Sequence, residues 1–176
     1  MSALYRALAS LGPIGVLALS LDFTPAVAGD VPRSPPVKIA VFDFKLEDAS
    51  PSEALLGRST SSPATMATVS AAARSELARS GRYIVIDPSQ VAAAQKSLQN
   101  CNGCEATVAL QLGAEQSLAG VLTKVTQTDY YVRIQIRDAR SGKLLDQEEA
   151  NFAGGEEGWA TGVRMLVKHQ ILAGAD

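Results

Sequence analysis

Residues Asp129 to Asp138 alternate without interruption: Tyr130, Val132, Ile134 and Ile136 fall on one side, and Tyr131, Arg133, Gln135 and Arg137 on the other. A period of two marks a strand with one buried face. Such a strand cannot slip by one residue without turning its apolar row outward. The segment therefore demands a sheet with apolar cover on the Tyr130 side. Ser117 to Thr126 reads as the strand before it, with Val121, Thr123 and Val125 on one face, and Lys143 to Phe152 as the strand after it. The last of these is charged, as a protected edge strand should be. Thr128-Asp129 and Ala139-Arg140-Ser141-Gly142 read as the hairpin turns. If Asp138 pairs with Lys143, Ile136 faces Leu145 and Arg133 faces Glu148, an apolar and an opposite-charge pair.

The chain upstream has a different rhythm. Val37 to Phe44 is β-branched and aromatic on both faces, as a strand covered on both sides would be. Lys45 to Pro63 reads as a long loop rich in Ser, Glu, Asp and Pro. Thr65 to Ser80 follows as a helix, with Met66, Val69, Ala73 and Leu77 on one stripe and Arg74 and Arg79 on other faces. Gly81 ends it, and Arg82 to Asp87 is a second strand. Strand, helix, strand in this order predicts a parallel pair with a right-handed crossover. Ser89 to Leu98 and Glu105 to Leu112 read as helices, the second stopped by Gly113. Gly154-Gly155 opens a turn into a terminal helix, Glu156 to Leu172, with Trp159, Val163, Leu166 and Val167 on its buried stripe. The predicted order is β-α-β-α-α-β-β-β-α, an α/β (α+β) fold on a mixed five-stranded sheet.

The amino terminus is an export address. Arg6 supplies a positive charge, Ala7 to Leu21 is apolar or small, and Pro25-Ala26-Val27-Ala28 precedes Gly29 as a small-x-small cleavage site. Cleavage is expected after Ala28, giving a periplasmic mature protein with no membrane span. Residues 1–28 are then signal peptide, Gly29 to Pro36 a Pro-rich leader, and residues 37–172 one domain. The net charge is −2, from 16 basic and 18 acidic residues. That balance argues against a nucleic-acid partner, which needs a basic face to displace counterions.

Cys101 and Cys104 are the only two cysteines. In an oxidising compartment they read as a structural disulfide pinning the bend between two helices. A redox pair is the alternative, since Cys104 sits where a helix begins and the dipole there favours thiolate. Haem attachment needs His where Glu105 stands, and zinc needs more ligands than one His allows. His169 lies near a helix end, where a partial positive charge is favourable. No Ser has a credible His partner, and Gly154-Gly155 lacks the Lys of a phosphate loop. No catalytic residue, metal or cofactor is expected. Asp43, Glu47 and Asp48 cluster at the carboxyl end of the first strand, where α/β sheets often bind ligands. With Trp159, a residue type enriched at interfaces, they are the candidate partner contacts.

The sequence Ile39-Ala40-Val41-Phe42-Asp43-Phe44, then Tyr83-Ile84-Val85-Ile86-Asp87, Leu112-Gly113-Ala114, Gly120-Val121-Leu122-Thr123-Lys124-Val125 and Ile136-Arg137-Asp138 carries a resemblance. It resembles the amino-terminal domain of the TolB translocation protein and the curli-secretion lipoprotein family. More closely, it resembles an uncharacterised secreted proteobacterial family with Cys-x-x-Cys before a helix, a Gly-x-Val-x-Lys-Val strand and a late Trp. The resemblance covers Val37 to Leu172 and implies an envelope protein-interaction module rather than an enzyme. It also implies an association with periplasmic quinoprotein alcohol oxidation. The chain departs from TolB in having no β-propeller after the domain, and from the curli lipoproteins in lacking a lipidated Cys. The reading is a non-enzymatic periplasmic accessory protein that contacts an envelope partner through the Lys45–Pro63 loop or the sheet edge. The alternatives are a thiol-disulfide protein using Cys101 and Cys104, and a small-ligand carrier with a pocket near Asp43.

Overall fold

Strand β1 (Val37–Val41) forms where the sequence is most densely β-branched, and its side chains are buried on both faces from Ile39 onward. The computed structural model describes residues 35–50, 63–88 and 103–174. The chain divides into two units, Met1–Arg33 and Ser34–Asp176. The signal peptide, the leader through Ser34, Cys101 and the expected helix Ser89–Leu98 lie outside the described residues.

After β1 come β2 (Lys45–Asp48), helix α1 (Pro63–Arg79), β3 (Tyr83–Ile86), α2 (Cys104–Gln111), β4 (Gln116–Lys124), β5 (Asp129–Asp138) and β6 (Leu144–Ala153). A 3-10 turn (Glu156–Gly158) leads into α3 (Trp159–Leu166), which is continued by a π-helical turn, Val167–Ile171. The strand order is β3-β1-β4-β5-β6. Strand β1 is parallel to β3 and β4, and β4, β5 and β6 form an antiparallel meander. The expected mixed sheet and the parallel β1–β3 pair are both present.

Lys45–Asp48 was expected to begin a loop and is instead a sixth strand, parallel to β4 on the edge that β1 also uses. Val41 pairs with Leu118 and Lys45 with Val121, so three residues span a gap that β4 crosses with two. The surplus residue is Asp43. Ile39 and Val41 face one core, Ala40 and Phe42 the other, and Phe44 returns to the first. A bulge of this kind reverses the phase of a strand, which is why β2 does not continue the alternation of β1.

Helices α1 and α3 cover one face of the sheet and bury its main core, in which Leu77, Leu118, Ile134, Trp159, Val163 and Leu166 are almost fully enclosed. Each such side chain contributes about 1.5–3 kcal/mol by leaving water. The even-numbered residues of β4 point into this core, so Val121 and Thr123 lie on the opposite, outer face. A smaller cluster under α2, around Phe42, Val108 and Ala109, covers the outer face at the β1 end. Helix α2 ends as expected at Gly113, whose φ of 76° is left-handed, with Ala114 N–H donating to the Ala109 carbonyl at 2.9 Å.

The β5–β6 register departs from expectation by one residue beyond the turn. Asp138 N–H does donate to Lys143 O at 2.9 Å, and Arg137 faces Leu144. Ile136, however, faces Asp146, and Arg133 faces Glu149. Leu145 is a bulge residue. The first hairpin turn also lies earlier than Thr128-Asp129: Val125 and Thr126 N–H both donate to Asp129 O, and Asp129 already belongs to β5.

Candidate functional site

The carboxyl ends of the parallel strands collect charge because their backbones leave the ladder there. At the Asp43 bulge, α1 supplies the missing partners. Ser70 and Arg74, four residues apart and so on one helix face, reach the strand together. Phe44 N–H donates to Ser70 Oγ at 3.0 Å, and Arg74 Nε and Nη2 donate to Val41 O at 3.1 and 3.0 Å. Arg74 Nη2 also lies 2.7 Å from Asp43 Oδ1 and 3.2 Å from Asp87 Oδ1. The Asp43 side chain is 48% exposed, so it is clamped yet still presented to solvent. Arg74, off the Met66–Leu77 stripe, nonetheless reaches the strand ends.

The other candidates separate. Glu47 is exposed on the outer face, with Thr123 Oγ1 donating to its Oε2 at 3.5 Å. Asp48 points the opposite way, onto the inner face, and its side chain is 4% exposed. Lys124 Nζ lies 3.7 Å from its Oδ2, and Ser50 N–H donates to its Oδ1 at 2.9 Å. Burial pushes the Asp48 carboxyl up, but the Ser50 hydrogen bonds and the Lys124 ammonium outweigh it, and the net direction is downward. Trp159 is 2% exposed and packs its ring against Tyr130. Its size is spent on the core, so Trp159, like Asp48, is turned away from solvent, whereas Asp43 and Glu47 are exposed. His169 is exposed on the π-helical turn.

Cys104 opens α2 and packs against the cluster around Phe42 and Val108. Glu105 is buried beside it, and its Oε2 accepts from Gly103 N–H at 3.0 Å. Among the described residues, no group of His, Cys, Asp and Glu is placed to hold a metal ion. None of the described helices is long and apolar enough to cross a membrane.

A polar surface also extends across the outer face of β5 and β6. Gln135 Nε2 donates to Gln147 Oε1 at 2.6 Å, and Gln147 Nε2 donates to Glu149 Oε1 at 3.0 Å. The Tyr131 hydroxyl donates to Glu149, which pushes its pKa up. Arg133 stands opposite the same Glu149. The outer positions of β6, Gln147, Glu149, Asn151 and Ala153, are all exposed. Among the described residues no strand pairs with the far side of β6.

A family model described as "Protein of unknown function (DUF2380)" matches residues 37–171. The chain belongs to that family. The matched stretch contains every described strand and the whole of the last helix. No match was found among curated proteins. Among solved structures, the PelC dodecamer from Paraburkholderia phytofirmans aligns with TM-score 0.51 and 13% identity, over 77% of this chain and 85% of that one. Lipoprotein GNA1162 from Neisseria meningitidis aligns with TM-score 0.49 and 18% identity, over 80% of this chain and 100% of that one. TolB from Acinetobacter baumannii aligns with TM-score 0.43 and 18% identity, over 80% of this chain and 29% of that one. At these identities the likeness is one of fold.

Proposed function

We propose that this family member is a non-enzymatic accessory protein of the bacterial envelope, exported to the periplasm, which binds another protein along β6 and the adjoining outer face. The observation that carries the reading is the edge of β6 with which no strand pairs among the described residues. Strand β6 is ten residues long and exposes its outer side chains throughout. An unpaired edge of that length offers main-chain donors and acceptors to an incoming strand. The Gln135–Gln147–Glu149–Tyr131 ladder holds polar side chains in fixed positions beside it, so little rotamer entropy remains to be lost on binding. The fold likeness to PelC, solved as a dodecamer, is compatible with a domain that contacts other protein chains. The link to quinoprotein alcohol oxidation implied by the family resemblance gives a first place to seek the partner.

The test compares periplasmic proteins captured by the wild-type chain with those captured by a Glu149→Lys/Asn151→Lys variant, identified by mass spectrometry. A partner held by the first and lost by the second is the expected result. Equal capture by both would remove the β6 surface from the reading.

A further inference from the structure

The phase of the β4–β5–β6 meander fixes which main-chain groups of β6 face outward. Val125 N–H donates to Asp129 O at 2.9 Å, so the odd-numbered residues of β5 bond to β4 and its even-numbered residues to β6. The other end agrees: Gly154 N–H donates to Thr128 O at 2.7 Å, so the even-numbered positions of β6 bond to β5. The N–H and C=O groups of Gln147, Glu149, Asn151 and Ala153 therefore point away from β5. Among the described residues no strand pairs with them. Alternate residues that each offer a donor and an acceptor are the half-ladder an added strand needs.

The side chains along that edge select what can be added. The bulge at Leu145 sets Asp146 opposite Ile136 and Glu148 opposite Ile134, so both carboxylates lie on the inner face. Ala150 and Phe152 follow them on the same face and pack against the main core. All four are partly buried, while the odd-numbered residues between them are exposed. Neither carboxylate is joined to a cation among the described residues. From Leu144 to Ala153 the strand holds Asp146, Glu148 and Glu149 and no basic residue. A second copy of β6 would bring three more carboxylates and no cation to answer them. Inward-pointing charge on an edge also deters neutral apolar strands. Specificity commonly rests on a repulsive element of this kind.

We propose that β6 accepts, antiparallel, an extended segment of a protein partner whose inward side chains are apolar, apolar, basic and basic at alternate positions. The inference deepens the partner-binding reading of β6 and rests on it. The two apolar side chains lie beside Phe152 and Ala150 and extend the core. The two Lys or Arg side chains lie beside Glu148 and Asp146. These inward positions are the non-hydrogen-bonded ones of the new pair, where facing side chains come closest, so each carboxylate meets a cation. The antiparallel direction continues the meander and is the more stable pairing per residue.

The experiment is amide hydrogen exchange of the full chain, read by NMR, with two end-blocked peptides. One is Thr-Val-Thr-Val-Thr-Lys-Thr-Lys, and the other carries glutamate at both lysine positions. In the free protein the amides of Gln147, Glu149, Asn151 and Ala153 should exchange faster than those of the residues between them. The lysine peptide should protect these amides saturably, and the glutamate peptide should not. Asp146→Asn/Glu148→Gln, checked for a native amide spectrum, should weaken lysine-peptide binding about three- to tenfold. Asp146→Lys/Glu148→Lys should transfer the preference to the glutamate peptide. The proposal is overturned if the lysine peptide gives no protection, if both peptides protect alike, or if the neutral variant binds like wild type. Protection on raising the protein concentration alone would also overturn it, by assigning the edge to a second copy. Failure here, with a partner still captured by the wild type and lost by Glu149→Lys/Asn151→Lys, would remove the basic strand and leave the β6 reading standing.

Discussion

Lys124 Nζ stands 3.7 Å from Asp48 Oδ2, with the two side chains 5% and 4% exposed. Lys124 shares the inner phase of β4 with Leu118 and Leu122, so its ammonium is carried into the core side of the sheet and must meet an anion there. Strand β2 exists in register with β4 to deliver that anion. The Asp43 bulge is what turns Asp48 to the correct face.

Removing either partner should therefore destabilise the fold. We expect Asp48→Leu to cost about 2–3 kcal/mol, because it removes a carboxylate that neutralises a buried ammonium. This is at or below the low end for buried pairs, since 3.7 Å is a long contact. The double variant Asp48→Leu/Lys124→Met should recover most of the loss. Urea unfolding of the two singles and the double closes the cycle, and simple additivity would show that the pair is not coupled.

The same pair predicts an acid limb. The folded Asp48 carboxyl titrates below its ordinary 3.8. Its contribution is thus complete above that value and drains over the window in which pH falls from it through the lower folded value. Unfolding free energy measured across this window should fall less steeply in Asp48→Asn than in wild type. Equal slopes would mean that other carboxylates carry the acid sensitivity.

Gly120 is the place where β4 lets an aromatic ring through. A Cβ built there would lie 2.2 Å from Phe44 Cε1. Gly120→Ala should cost about 2 kcal/mol through overpacking. Phe44→Leu in the same chain should reduce that cost, because the shorter side chain vacates the contact. Thermal unfolding of the two single variants and the double would detect the coupling.

The cysteines give a redox prediction. We expect Cys101 and Cys104 to form a structural disulfide, so thiol titration of the native protein should find no free thiol. Its reduction potential should lie below about −300 mV. Cys104→Ser should cost roughly 2 kcal/mol, the scale set by so short a loop. A potential near that of the glutathione pool would instead favour the thiol-disulfide alternative.

Export can be checked directly. Expressed from Met1 in a Gram-negative host, the chain should fractionate with the periplasm and yield an amino-terminal sequence beginning at Gly29. A cytosolic product beginning at Met1 would remove the premise on which the envelope function rests.

Strictly periodic segments were legible. The alternation of Tyr130 to Ile136 located β5 to the residue, and the stripe from Trp159 to Val167 is buried as predicted. What escaped lies at two surplus residues. A bulge changes the phase of a strand without changing its composition, so the charged Lys45–Asp48 looked like loop and the β6 pairing was offset by one. Both left traces. Lys124 on an apolar phase demanded an unseen anion, and Leu144 and Leu145 set two apolar residues side by side, which a strand with one buried face does not need. Among the site residues, Asp43 at the bulge and Glu47 on strand β2 are exposed, as solvated carboxylates should be. Arg74 and the inward Asp146 and Glu148 depend on pairings that no local pattern records.

Strand β6 carries one residue more than its ladder with β5 can use. A chain lacking Leu145 would still set Leu144 against Arg137 and Asp146 against Ile136, so length at this point is free to drift between homologues. Loss of a single residue between Gln147 and Phe152 would instead swap core and solvent faces for every position on one side of the gap. Insertions and deletions in this strand should therefore be tolerated at one position and purged at its neighbours.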